Sequence, residues 1–161
     1  MSERRTEQVL VAELVAAFPF LDGKIRVARE RRVWAEVDYA DFRKVFERAV
    51  KEMGFSILCI ITGLDEGENL GFIYHIADLG GTMLNIHTLS PKDGPGIATI
   101  TDLFPAAHIY ERELQDLFGA KVDGLAPGNR YPLPDGWPEG QYPLRKDFNP
   151  AVLDAAVEGQ E

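Results

Sequence analysis

Apolar residues recur along this chain with two spacings, and their alternation predicts an α/β fold. Between Thr6 and Phe18 they fall at Leu10, Leu14, Ala17 and Phe18, one face of a helix that Thr6 can cap and Pro19 can end. From Lys24 to Asp38 the spacing drops to two. Ile25 and Val27, then Val33, Ala35 and Val37, flank Arg29-Glu30-Arg31-Arg32, which predicts a hairpin with a solvated basic turn. The helical spacing returns at Phe42, Val45, Phe46, Ala49, Val50 and Met53, with Asp38 as cap and Gly54 as terminator. Three strand-like runs follow: Ser56 to Thr62, Leu70 to Ala77, and Thr82 to Leu89. A loop over 63–69 joins the first two, and Gly80-Gly81 offers a two-residue turn between the next two. Ile97 to Phe104 reads as a short turn or helix.

The last periodic stretch covers 106–119. Pro105 suits a helix start, and Gly119 suits the left-handed position past its end. Ile109, Tyr110, Leu114, Leu117 and Phe118 share an arc of about 180°, and Glu113 lies inside it. A carboxylate there is costly to bury unless a cation or donor meets it. Arg112 and Asp116 can pair along the edge of the arc. Beyond the helix, Arg130 to Phe148 carries Tyr131, Trp137, Tyr142 and Phe148 among prolines and glycines. It is too aromatic for a solvated linker and too Pro-rich for a sheet. Such a segment either packs back on its own domain, with Arg145 or Lys146 reaching Glu113, or docks on another protein. The expected organisation is a helical appendage over 1–22, an α/β (α+β) core over 23–124 with helices packed on a mixed sheet, and an extended C-terminal docking arm over 125–161.

Composition fits a globular domain: 161 residues, 45% hydrophobic and 27% charged. The net charge of −9 argues against nucleic acid or an anionic membrane surface as a direct partner. No apolar run approaches the roughly 20 residues of a membrane span. Met1 to Glu7 lacks a secretory pattern, so a cytoplasmic location without membrane insertion is expected. Cys59 is the single cysteine; it cannot close a disulfide alone, and it reads as a small buried apolar residue. With a turn at Gly80-Gly81, His75 would oppose Ile86 and His87 would oppose Tyr74, placing the two imidazoles on opposite faces and unable to share a metal. Asp65, Glu66 and Glu68 lack the spacing of a calcium loop and read as solvated acids. No nucleophile elbow, phosphate-cradling glycine loop, paired cysteines or HExxH is present. His108, Glu111 and Glu113 point in different directions around a helix, which disfavours a stand-alone acid–base enzyme. An interaction subunit is the favoured class.

The segment Glu111-Arg112-Glu113-Leu114-Gln115-Asp116-Leu117-Phe118-Gly119 closely resembles the signature of the thirty-kilodalton subunit family of respiratory complex I and the energy-converting membrane-bound nickel–iron hydrogenases. The approach from Ile100 to Ala107 and the tail Tyr142-Pro143-Leu144-Arg145-Lys146-Asp147-Phe148 agree with it, in the family's order. The resemblance implies a cofactor-free subunit of the hydrophilic arm, with no catalytic, cofactor-binding or metal residue of its own. Iron–sulfur clusters and nickel–iron or quinone would belong to partners, namely the large subunit and the small iron–sulfur subunit. The complex would lie at the inner face of the cell membrane. The implied signature and partner-binding residues are Glu111, Arg112, Glu113, Asp116, Leu117, Phe118, Gly119, Arg130, Trp137, Tyr142, Pro143, Arg145, Lys146, Asp147 and Phe148. Glu113 and Asp116 would engage basic groups of the tail or the large subunit, Arg112 would align them, and Trp137, Tyr142 and Phe148 would anchor. Two departures bear on the branch. Leu125 stands where the complex I signature usually has His or Lys, and Asn129-Arg130 offers one basic group instead of two. Leu133 to Tyr142 looks more like the hydrogenase branch, including formate hydrogenlyase and carbon-monoxide-linked complexes. A hydrogenase-type complex is therefore expected. The alternative is the equivalent subunit of a quinone-reducing NADH dehydrogenase complex, and a free-standing assembly factor or sensor is a further rival.

Overall fold

In the computed structural model, which describes residues 6–153, the strand-like runs form one mixed sheet and the helices cover one of its faces. Helix α1 (Glu7–Ala17) begins where Thr6 accepts a hydrogen bond from the Val9 N–H. Expected within an appendage over 1–22, it buries Leu10 and Leu14 in the same cluster as the sheet. Strand β1 (Ile25–Arg29) turns at Arg31, whose φ is 58°, into antiparallel β2 (Arg32–Glu36). Helix α2 (Tyr39–Glu52) then carries the chain to the far edge, where β3 (Ile57–Glu66), β4 (Asn69–Ala77) and β5 (Met83–Pro91) meander back. Strand β5 pairs with β2 in parallel, giving the order β1-β2-β5-β4-β3.

Packing, more than capping, holds α2. Phe42, Val45, Phe46 and Ala49 are fully buried, and burial of a Phe or Val is worth about 1.5–3 kcal/mol each. The Phe42 and Phe46 rings lie 4.3 and 5.5 Å from that of Tyr74. Asp38 occupies the cap position without capping; its carboxylate pairs with the Lys24 ammonium at 3.3 Å, forgoing only about 1 kcal/mol.

Four expectations from the sequence change. The 63–69 loop is strand as far as Glu66, and the turn is the shorter Gly67-Glu68. Gly63 looks like a strand end, but its role is tertiary: it leaves room for Leu114 and Phe118. The β4–β5 connection spans Asp78 to Thr82, closed by the Thr82 N–H on Asp78 Oδ1 at 2.8 Å. His75 therefore opposes Asn85, and His87 opposes Ile73. This one-residue change of register puts both imidazoles on the same, outer face. Ile97 to Phe104 opens as a strand, β6 (Ile97–Ala98), paired in parallel with β7 (Val122–Asp123) around helix α3 (Ala107–Phe118). Cys59, expected buried, sits exposed at an irregularity of β3, an edge strand.

Gly63→Ala sets a methyl 2.6 Å from Phe118 Cε2 and 2.7 Å from Leu114 Cδ2. Overpacking of this kind should cost about 1–3 kcal/mol in urea unfolding. An unchanged midpoint would show that α3 does not depend on this contact.

Candidate partner-docking site

Helix α3 lies on the sheet through Ala107, Glu111, Leu114 and Phe118, a face rotated from the expected arc. Ile109 is 42% exposed, and Tyr110 and Leu117 are half-buried. The buried carboxylate is Glu111, at 0% exposure, instead of Glu113. What permits this is the preceding segment. Thr99 Oγ1 donates to Glu111 Oε2 at 2.6 Å, and the Ile100 N–H donates to Oε1 at 2.8 Å. Burial pushes the Glu111 carboxyl up, and these two donors pull against it. The same segment is tied to α2: Arg43 donates to the Thr99 carbonyl at 2.6 Å and pairs with Asp102 through both nitrogens, at 2.8 and 2.5 Å. The Asp102 hydrogen bond raises the Arg43 guanidinium and, reciprocally, Arg43 lowers the Asp102 carboxyl.

Residues 125–150 contain no helix or strand, and the segment returns to its own domain. Its fastening differs from the expected one. Arg145 lies over the Tyr142 ring at 4.5 Å and donates from Nε to the Phe118 carbonyl at 2.6 Å, a carbonyl at the end of α3. The Leu144 N–H reaches the Leu117 carbonyl at 3.1 Å. Gly119 has a φ of 66° and lies under Tyr142, where a Cβ would meet the ring at 2.5 Å. Arg112 donates to the Ala126 carbonyl at 2.6 Å, and Asp116 accepts the Leu133 N–H at 3.3 Å, so the expected Arg112–Asp116 pair is replaced by two backbone contacts. Arg130 binds the Trp137 carbonyl at 2.7 Å, and Trp137 stacks on Phe148 at 6.1 Å. Pro143 is half-buried. Glu113 is half-buried, and Lys146 and Asp147 are exposed. Among the described residues, none of these three side chains makes a hydrogen bond or ion pair, so neither Arg145 nor Lys146 reaches Glu113.

One fastener was not expected from the sequence. Asp65, which the sequence predicts to be a solvated loop acid, is buried. Its Oδ2 receives the Lys92 ammonium at 2.9 Å and the Lys146 N–H at 2.8 Å, while Oδ1 receives the Gly67 N–H at 2.9 Å. The Lys92 bond, opposed by burial and aided by the two amides, holds the Asp65 carboxyl at about 2. Strict alternation would have placed Asp65 on the inner face once β3 was known to run to Glu66.

The two outer-face histidines are engaged separately. His75 binds Asn85 at 2.7 Å and Thr62 at 3.1 Å, and His87 binds Glu36 at 2.6 Å and Glu66 at 2.9 Å. Among the described residues no group of three His, Cys, Asp or Glu is arranged to hold a metal, and no helix is long and apolar enough to cross a membrane.

Known proteins share this sequence pattern and this architecture. Residues 35–152 match the family model described as the 30 Kd subunit of respiratory-chain NADH dehydrogenase. The chain is 34% identical over 152 residues to the membrane-bound hydrogenase subunit beta of Pyrococcus furiosus, covering 84% of this chain and 85% of that one. Among solved structures, it superposes with a TM-score of 0.80 on a chain of an archaeal respiratory membrane complex, the membrane-bound sulfane sulfur reductase. That match has 29% identity and covers 94% of this chain and 91% of the other. It also superposes on a trypsin-resistant fragment of Nqo5 with a TM-score of 0.62 and 26% identity, covering 73% of this chain and 99% of the fragment.

Two outcomes follow from these contacts. Glu111→Ala strands the buried Ile100 N–H and should cost about 1–3 kcal/mol in chemical unfolding; a stability within error of the parent would remove Glu111 from the framework. Asp65→Asn should speed trypsin cleavage after Arg145 and Lys146, and unchanged cleavage would contradict the Asp65 anchor. Because the folded carboxyl lies below the ordinary value of 3.8, its stabilisation is complete above that pH and is lost as pH falls toward 2.

Proposed function

The chain belongs to the family of the 30 kDa subunit of respiratory-chain NADH dehydrogenase, and from this we propose that it is a structural subunit of a membrane-bound, hydrogenase-type respiratory complex. In this reading it docks onto the large subunit of the hydrophilic arm through α3 and the C-terminal segment. The small iron–sulfur subunit is a neighbour, and iron–sulfur clusters and the nickel–iron centre belong to those partners. The chain itself contributes no redox group and no catalysis, and it is held peripherally at the cytoplasmic face through the complex.

The observation that carries the reading is the meeting of α3 with the segment before it and with the tail 27 residues beyond its end. The approach 99–102 binds Glu111, α3 displays Glu113, and the tail binds the end of α3 through Arg145. On α3 and the tail, Glu113, Lys146 and Asp147 have no side-chain hydrogen-bond or ion-pair partner among the described residues. Charges held on a fixed frame and left unpaired in the single chain suit orientation-specific docking. Similarity to a membrane-bound hydrogenase subunit supports the hydrogenase branch. Similarity to Nqo5 favours the second reading, the equivalent subunit of a quinone-reducing NADH dehydrogenase complex. Nickel in the purified complex would decide for the first.

Glu113→Ala should lower co-purification of the large subunit roughly tenfold, with the thermal midpoint of the isolated chain and the metal content of the assembled fraction unchanged. Wild-type recovery of the large subunit would refute docking through this helix.

A further inference from the structure

Helices α1, α2 and α3 bury their side chains against the same face of the sheet. None of the apolar side chains of the opposite face belongs to the core cluster. That opposite face is neither plain nor fully polar. A ladder of side chains crosses it from β2 to β3: the Trp34 indole N–H binds Glu36, Glu36 binds His87, and His87 binds Glu66. Gly71 keeps the crossing open, because a Cβ there would strike Glu66 and the His87 ring. Beside the ladder, Leu89 is 38% exposed, and Ile60, farther along β3 on the same face, is 47% exposed. Ordering charged side chains at a solvent surface costs rotamer entropy and returns little stability, whereas a pre-ordered charged surface beside exposed apolar groups suits association.

At one end of the ladder, Lys24, Glu36, Val37, Asp38, His87 and Leu89 line an open cavity of about 230 Å³. This is smaller than the roughly 300–1,000 Å³ of small-molecule sites; it has room for one long side chain. Its lining carries the carboxylates of Glu36 and Asp38 and one ammonium, that of Lys24, which pairs with Asp38 at 3.3 Å. Asp38, at the start of α2, leaves its capping bond unmade and is 71% exposed on its side chain. Leu89 supplies an apolar wall on this face.

The geometry points to the sheet face opposite α1, α2 and α3 as a second docking surface, for a basic polypeptide of the same complex that inserts an arginine into this cavity. Its guanidinium would meet the carboxylates of Glu36 and Asp38, since a planar fork can bind more than one carboxylate oxygen, and its methylene stem would lie along Leu89. This inference rests on the proposed function above but concerns a different surface from α3 and the tail.

Carboxyl labelling with a carbodiimide and glycinamide, read by mass spectrometry on the isolated full chain and on the purified complex, tests it. Glu36, Asp38 and Glu66 should react roughly fivefold more slowly in the complex, where a docked partner excludes water, while Glu30, which is 82% exposed on its side chain, stays unchanged. Equal reactivity in a chain that still co-purifies overturns this surface and leaves the proposed function standing. Purification with no other polypeptide removes both. The double variant E36Q/D38N should release the chain from the complex at severalfold lower salt, and an unchanged release overturns the arginine. Protection by a second copy of this chain, detected as a cross-linked dimer, overturns the basic partner.

Discussion

A carboxylate with no solvent exposure must have donors brought to it, and in this chain that requirement shapes the final third. Glu111 faces the sheet with the apolar residues of α3, and two donors from the segment just before the helix complete it. Desolvating a lone carboxylate would cost several kcal/mol, so the helix can take this rotation only with the 99–100 backbone in place. Arg43 then holds that backbone from the other side by the Thr99 carbonyl and Asp102. Helix α2, the entry segment and α3 are thereby fixed as a unit, and the angle at which α3 presents its outer charges follows.

Much of the frame was legible in the residues. The three-and-four spacing of Phe42, Val45, Phe46 and Ala49 located α2 and its buried face, and Thr6, Arg31 and Gly119 marked boundaries where they occur. What failed was information carried by other parts of the chain. A glycine within a strand-like run looks like an ending, and only the presence of Leu114 and Phe118 above Gly63 explains it. The difference between a two-residue and a five-residue turn at Asp78 to Thr82 is small in sequence, yet it inverts which face every later side chain of β5 occupies relative to β4.

The candidate site was legible as a set and misread in its pairings. The signature helix and the tail meet, one of the two placements that the sequence left open. The contacts between them, however, run largely from side chain to backbone: Arg145 to the Phe118 carbonyl, Asp116 to the Leu133 N–H, and Arg112 to the Ala126 carbonyl. Charge matching between side chains, the natural assumption from sequence, has no access to such partners because every residue offers the same amide. Asp65 was hidden for the same reason, since two of its three donors are main-chain groups.

Arg145 spans the last carbonyls of α3, bonding to Phe118 and reaching Gly119. Those oxygens are the negative pole of the helix, unsatisfied by the helix itself. The tail thus serves as the lid of a small electrical dipole, and helix end and tail share one equilibrium: a neighbour that grips the tail also tightens the helix beneath it, without touching that helix at all.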